Sequence, residues 1–241
     1  MDSMFSQYLA WYQRYRTKYG SNTAVLMQVG KFYEIYDRLN LTTNSTYTNI
    51  REIADLCSLN LSEGHLDQQN VMKLCGGFPE QSLPKFERQL LDSGYTVVIV
   101  NQKKKSNGEV EERIVERISS PGIYENRYNS FAAQGQDSCL IGLLLERNDA
   151  RSYYVGATAI DIQTGNAWST ECVLPFLQNT PNIDNLEPFF MMHPPAEIVC
   201  YSDTAQDKDL RMWFHLPLTT VMHIRPISQT DRKSTRLNSS H

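Results

Sequence analysis

The run Thr23–Tyr36 (TAVLMQVGKFYEIY) constrains this chain more than any other feature: it is apolar, rich in strand-forming residues and broken only by Gly30. It predicts one long strand, in which a lone glycine marks a bulge or a close approach by another backbone. Ahead of it, Phe5, Tyr8, Leu9, Tyr12 and Tyr15 recur at helical spacing, with Asp2 or Ser3 as N-cap and Gly20 as stop. Arg14, Arg16 and Lys18 fall in the last turns of that helix, where positive charge complements its dipole.

Beyond the strand, Asp37–Asn49 is a loop rich in Asn and Thr, a short helix fits 50–59, and a polar connection leads to a strand over Val71–Cys75. Gly76–Pro79 predicts a turn. Ser82 then caps a helix that turns Leu83, Phe86 and Leu90 inward and ends at Gly94. Tyr95–Val100 is a buried strand by its β-branched run. Asn107-Gly108 signals a hairpin, and Val110–Ile118 returns as the partner strand. Helices and strands alternate, so the fold class is α/β.

A polar stretch, Asn126–Gly135, predicts a boundary that divides the chain into 1–130 and 131–228. In the second part, Cys139–Glu146 and Tyr153–Ile162 are strands on either side of a loop at Arg147–Arg151. Thr164-Gly165 then turns the chain toward Ala167–Thr170. A helix fits Ile183–Met192, and Ala196–Tyr201 and Val221–Arg225 fit further strands, giving a second α/β domain. Residues 229–241 are expected to be a non-native or disordered tail, because Arg232–His241 holds a single apolar residue, Leu237.

Composition narrows the class. A hydrophobic share of 41% with 21% charged residues is that of a globular protein. No run of eighteen apolar residues occurs and the N-terminus has no apolar core segment, so neither a membrane partner nor a secretion signal is expected. Five scattered cysteines without a C-x-x-C pair predict reduced thiols and an intracellular setting. Residues 1–130 carry 15 Lys+Arg against 15 Asp+Glu, and residues 131–230 carry 5 against 11. Blanket attraction to phosphate is therefore not expected from this piece alone, since sequence-independent affinity needs several neutralised phosphates. Contact with nucleic acid would depend on a few placed residues.

His65, His193, His215 and His223 lack metal-ligand spacing, so no metal site and no catalytic residue is assigned. Lys103, Lys104 and Lys105 precede a hairpin turn and are either a solvated loop or a phosphate contact. Asp161 raises the alternative of a metal-dependent nuclease of ribonuclease-H-like type, but such a site needs several carboxylates around a metal pair.

Gly30-Lys31-Phe32-Tyr33-Glu34 resembles the G-x-F-Y-E element that opens the mismatch-recognition domain of the MutS family. Further matches follow in the family's order. Gly77-Phe78-Pro79 resembles its G-I-P, and the strand ending at Asn101-Gln102 resembles its V-A-I-x-x-Q. Glu112–Gly122 (ERIVERISSPG) resembles its E-R-x-V-x-R-x-x-[TS]-P-G, and Ala157, Asp161 and Gly165 resemble residues of its connector domain. The resemblance covers residues 4–228.

It implies a mixed-sheet mismatch-recognition domain over 1–130 and a ribonuclease-H-like connector over 131–228. It also implies a partner, double-stranded DNA with mismatches or small loops, in an intracellular compartment that holds DNA: nucleus, organelle, nucleoid or viral factory. Phe32 and Glu34 take the family's mismatch-reading roles, and Lys31, Gly77, Phe78, Lys103, Lys104 and Lys105 are secondary contacts. On a strand, positions i and i+2 share a face, so Phe32 and Glu34 point together while Lys31 and Tyr33 point away. No G-x-x-x-x-G-K-[ST] phosphate loop occurs in the sequence. No cofactor is therefore expected here; ATP with magnesium, and the family's dimer, belong to its further domains, and downstream repair factors to the connector.

Overall fold

A computed structural model describes residues 3–66, 70–106, 108–124, 139–178 and 180–227. The chain divides by contact into two compact units, 1–120 and 121–241. The polar stretch Asn126–Gly135, the tail at 229–241, Asp2 and Asn107 lie outside the described residues.

The first unit runs α1 (Ser3–Tyr19), β1 (Thr23–Val29), β2 (Phe32–Asn40), β3 (Ser45–Thr46), α2 (Ile50–Cys57), β4 (Ser62–Leu66) and β5 (Val71–Pro79). A 3-10 turn (Glu80–Ser82) follows, then α3 (Leu83–Asp92), β6 (Thr96–Lys104) and β7 (Val110–Ser119). The strands form one sheet in the order β4-β5-β2-β1-β6-β7, with β3 on β2. β1 and β6 are parallel while the other pairs are antiparallel, so the sheet is mixed.

The expected single strand over Thr23–Tyr36 is instead a hairpin, β1 and β2, reversing at Gly30-Lys31. Apolar residues on both faces hid the reversal, because helices cover the sheet on both sides. Tyr36 meets Phe5 and Tyr8 of α1 on one face. Tyr33 stacks on Phe78, and through it on Phe86 of α3, on the other. Phe5, Tyr8, Tyr12 and Tyr15 are buried as the helical spacing predicts, and Gly20 ends α1 at φ 96°. Fully burying one such side chain contributes about 1.5–3 kcal/mol.

Three local readings change. Gly76–Pro79 is not a turn but the end of β5, paired with β2 through Phe32. Ser82 makes no side-chain cap; the 3-10 turn leads directly into α3. The polar connection before β5 contains the edge strand β4.

The second unit runs β8 (Cys139–Asp149), β9 (Ser152–Ile160), β10 (Ala167–Leu177), β11 (Thr180–Pro181), α4 (Glu187–Met192), β12 (Pro195–Ser202), α5 (Asp207–Trp213) and β13 (Val221–Arg225). Its sheet has the order β11-β10-β9-β8-β12-β13. β8, β9 and β10 are antiparallel neighbours, whereas β12 lies parallel to β8 and β13 parallel to β12. Phe189, Phe190, Leu210 and Phe214 of the α4 and α5 region close over Ile141, Leu143, Leu145 and Val155 to make its core. The loop expected over Arg147–Arg151 shrinks to two residues, because β8 and β9 extend into it.

Candidate nucleic-acid interface

Val29 and Phe32 face each other across the hairpin, leaving Gly30 and Lys31 as a two-residue turn. Gly30 takes φ 63° and Lys31 does not take a positive φ, as a type II′ turn with glycine first requires. The turn is tied down by the Glu80 amide, which donates to the Lys31 carbonyl at 2.9 Å. Lys31 sits in this turn rather than on the strand, with its side chain exposed.

Along β2 the side chains alternate from the tip: Phe32 is 48% exposed, Tyr33 is buried and Glu34 is half-buried. Tyr33 points into the core, where its hydroxyl donates to Asn101 Oδ1 at 2.7 Å. Burial first, and the nearby Glu116 carboxylate second, push the Tyr33 phenol up to about 12. Phe78 stands opposite Tyr33 and is 3% exposed, between Tyr33 and Phe86, so its ring braces the strand from beneath and presents no surface to a ligand.

Glu34 has three close neighbours on its own face. Across β5 it faces Gly77, where an added Cβ would lie 2.8 Å from the Tyr33 carbonyl oxygen and 3.0 Å from Glu34 Cγ. The bare glycine is what lets the Glu34 side chain lie across β5. The Tyr36 hydroxyl donates to Glu34 Oε2, and the Tyr36 ring packs edge-on against Phe5 at 6.0 Å and Tyr8 at 5.3 Å. Cys75, the cross-strand partner of Tyr36, is bonded to that hydroxyl; burial, then the Glu34 charge, push its thiol up to about 11. Periodicity of two along β2 was the signal that could have singled out Tyr36.

The lysine run reaches the same end of the sheet. β6 lies parallel to β1, and the Gln102 amide donates to Gln28 Oε1 at 3.0 Å, so the run ends beside the hairpin turn. Lys103 and Lys104 are not in a loop but close β6, paired with Glu112 and Val110 of β7, and only Lys105 lies beyond the strand. All three are exposed, and Lys103 is paired with Glu112 at 3.0 Å.

Other polar residues of the recognised segments have structural partners. Arg117 of β7 donates to Glu87 of α3 at 2.6 and 3.2 Å, and Ser119 adds a third bond at 2.7 Å; Glu87 is fully buried. Arg113 reaches Gln7 of α1 at 3.3 Å. Buried Asp37 accepts from the amides of Tyr47 and Thr48 at 2.9 and 2.8 Å and so orders the loop after β2.

In the second unit, Asp161 caps its own turn through Thr164 Oγ1 at 2.6 Å. That hydroxyl holds the Asp161 carboxyl below the ordinary carboxylate range. His223 meets Glu197 at 2.8 Å and His193 stacks on Trp168. Among the described residues no group of three His, Cys, Asp or Glu is placed to hold a metal ion. No helix among them is long and apolar enough to cross a membrane.

Residues 2–127, which contain the hairpin, its β5 partner and the lysine run, match the family model of MutS domain I. The chain belongs to the MutS family. It is 26% identical over 227 residues to a mutS homologue of Acanthamoeba polyphaga mimivirus, covering 89% of this chain and 20% of that protein. It is 27% identical over 208 residues to the DNA mismatch repair protein MutS of Natronomonas pharaonis, covering 85% and 20%. It is 25% identical over 141 residues to the mitochondrial DNA mismatch repair protein mutS homologue of Sarcophyton glaucum, covering 50% and 14%. The chain thus spans a fifth or less of these MutS relatives.

Proposed function

We propose that this MutS-family chain binds double-stranded DNA containing mispaired bases or small loops, with Phe32 as a wedge in the minor groove and Glu34 reading the displaced base. One observation carries the reading: an aromatic ring, 48% exposed, stands at the tip of a hairpin inside the domain I segment, with Glu34 two residues along on the same face. An aromatic inserted into the minor groove unstacks a base step and kinks the duplex. A correct pair resists, whereas a mismatch has already lost pairing or stacking energy, so the wedge reads deformability. A carboxylate beside it repels ordinary backbone and accepts from a base whose donor has lost its partner, which favours mismatches twice over. In this reading Lys31, Lys104 and Lys105 meet phosphate, which their exposure at the same end of the sheet supports.

The order β10-β9-β8-β12-β13, with β9 antiparallel between its neighbours, supports a ribonuclease-H-like connector in the second unit, the part in which we place contact with downstream repair factors. ATP and magnesium, and the dimer, belong in this reading to family domains other than these two. The compartment is one that holds DNA. No observation favours a nuclease, since Asp161 is engaged in its own turn.

The reading is tested by titrating the chain with labelled duplexes, matched and carrying one mismatch or one unpaired base, at low salt. The chain is expected to prefer the defective duplexes, and Phe32→Ala to lose that preference by about 1–3 kcal/mol, the range for base–aromatic stacking. Equal affinity for all duplexes, or an unchanged preference in Phe32→Ala, overturns it.

A further inference from the structure

We propose that Tyr36 is a positioning residue for Glu34 and, resting on the function proposed above, sets how sharply the chain distinguishes defective from ordinary duplex. Its ring is 8% exposed and fixed by two aromatic side chains of α1, so its hydroxyl has one place to be. That hydroxyl carries a single proton, which goes to Glu34 Oε2, a stronger acceptor than the neutral Cys75 thiol. A hydrogen bond to a charged group is stronger and more directional than a neutral one. Oε2 is thereby held, and Oε1, which has no hydrogen-bond partner among the described residues, is the oxygen left for a base.

Packing makes the hydroxyl matter. Glu34 lies over Gly77, which offers no side chain to limit its rotamers from β5. Without the bond to Tyr36, the Glu34 side chain would sample several staggered positions, and only a fraction would set the carboxylate beside Phe32. The first helix therefore acts on the reading face at one remove, through Phe5 and Tyr8 to Tyr36 and from Tyr36 to Glu34.

Tyr36→Phe keeps the ring and its packing and removes only the hydroxyl. Matched and mismatched duplexes are titrated with the parent, Tyr36→Phe, Glu34→Ala and the double variant. Tyr36→Phe is expected to lower the ratio of mismatched to matched affinity by about three- to tenfold, the size of one lost hydrogen bond. In the Glu34→Ala background it is expected to change nothing, because its effect runs through Glu34. No effect of Tyr36→Phe in the parent, or the same effect in both backgrounds, overturns the proposal. If Phe32→Ala and Glu34→Ala leave the ratio unchanged, the function reading is what has failed. A measurement without DNA separates the two: the Tyr36 hydroxyl proton is expected to give a slowly exchanging NMR signal that disappears in Glu34→Ala. Its absence from the parent overturns the Tyr36–Glu34 bond directly.

Discussion

Gly77 stands opposite Glu34 in the β2–β5 ladder, close enough that a Cβ on the glycine would meet Glu34 Cγ at 3.0 Å and the Tyr33 carbonyl oxygen at 2.8 Å. The second distance decides what a substitution does, because a backbone oxygen inside a sheet cannot swing aside as a side chain can. Gly77 does not have a positive φ, so the demand for glycine here comes from space and not from backbone conformation. Gly77→Ala is expected to destabilise the first unit by about 1–3 kcal/mol, the usual range for overpacking. Chemical denaturation of parent and variant checks this; an unchanged midpoint would mean that β5 moves away freely.

Glu34→Ala separates two roles of the carboxylate. If repulsion of ordinary backbone dominates, the variant binds matched duplex more tightly and gains little on mismatched duplex. If acceptance from a displaced base dominates, mismatched binding weakens and matched binding is spared. The repulsive part is expected to be larger, since removing a negative charge near phosphate helps at any site. Because exposed charges are screened over about 10 Å at 0.1 M salt, the gain on matched duplex should shrink as salt rises. A salt series on both duplexes with parent and variant reads it, and a variant that matches the parent on both duplexes at every salt would make Glu34 a bystander.

Much of the first unit was legible because its signals are local. The spacing of Phe5, Tyr8, Tyr12 and Tyr15 marks α1, and the β-branched run up to Val100 marks β6. The hairpin at Gly30-Lys31 was not, because residues on both faces of β1 and β2 are buried and no change of period announces the reversal. Gly76 and Gly77 suggested a turn, whereas they serve close packing: a Cβ on Gly76 would lie 2.8 Å from Leu61. α5 escaped notice because its one buried residue is Leu210, which gives no helical stripe. At the candidate site, resemblance singled out Phe32 and Glu34, and the structure adds that Phe32 is exposed at the end of β2 with Glu34 on the same face. Tyr36 shares that face by the same period of two, but its packing against Phe5 and Tyr8 of α1 is a tertiary contact that the sequence does not announce.

The Glu87–Arg117 pair predicts an asymmetry. Glu87 is fully buried and takes three hydrogen bonds, whereas the Arg117 side chain is 32% exposed and touches water. Arg117→Ala leaves a buried carboxylate without its cation and is expected to cost about 3–5 kcal/mol. Glu87→Gln keeps a polar group for Ser119 and lets the guanidinium turn to solvent, so its loss should be clearly smaller. Urea melts of the two variants decide it, and equal losses would show that the pair acts by packing alone.

Cys75 offers a chemical reporter of the Glu34 environment. Burial, followed by the negative charge of Glu34, raises its thiol from 9.0 to about 11, and hydrogen bonds from Tyr36 and Ser62 pull the other way. Only the thiolate is alkylated, so at pH 8 the reactive fraction is about a hundredfold below that of an ordinary thiol. The rate should rise tenfold per pH unit and level off near pH 11. Removing the charge in Glu34→Ala favours the thiolate, lowers the titration point and speeds alkylation at any pH below it. Once the thiol ionises it accepts from the Tyr36 hydroxyl, so Tyr36→Phe removes that stabilisation and slows alkylation. Mass-spectrometric mapping distinguishes Cys75 from Cys57 and Cys200, whose thiols burial also raises and which lie in other parts of the fold. The two variants moving the Cys75 rate in the same direction, with the other cysteines unchanged, would mean that the thiol responds to loosened packing and not to the charge and hydroxyl beside it.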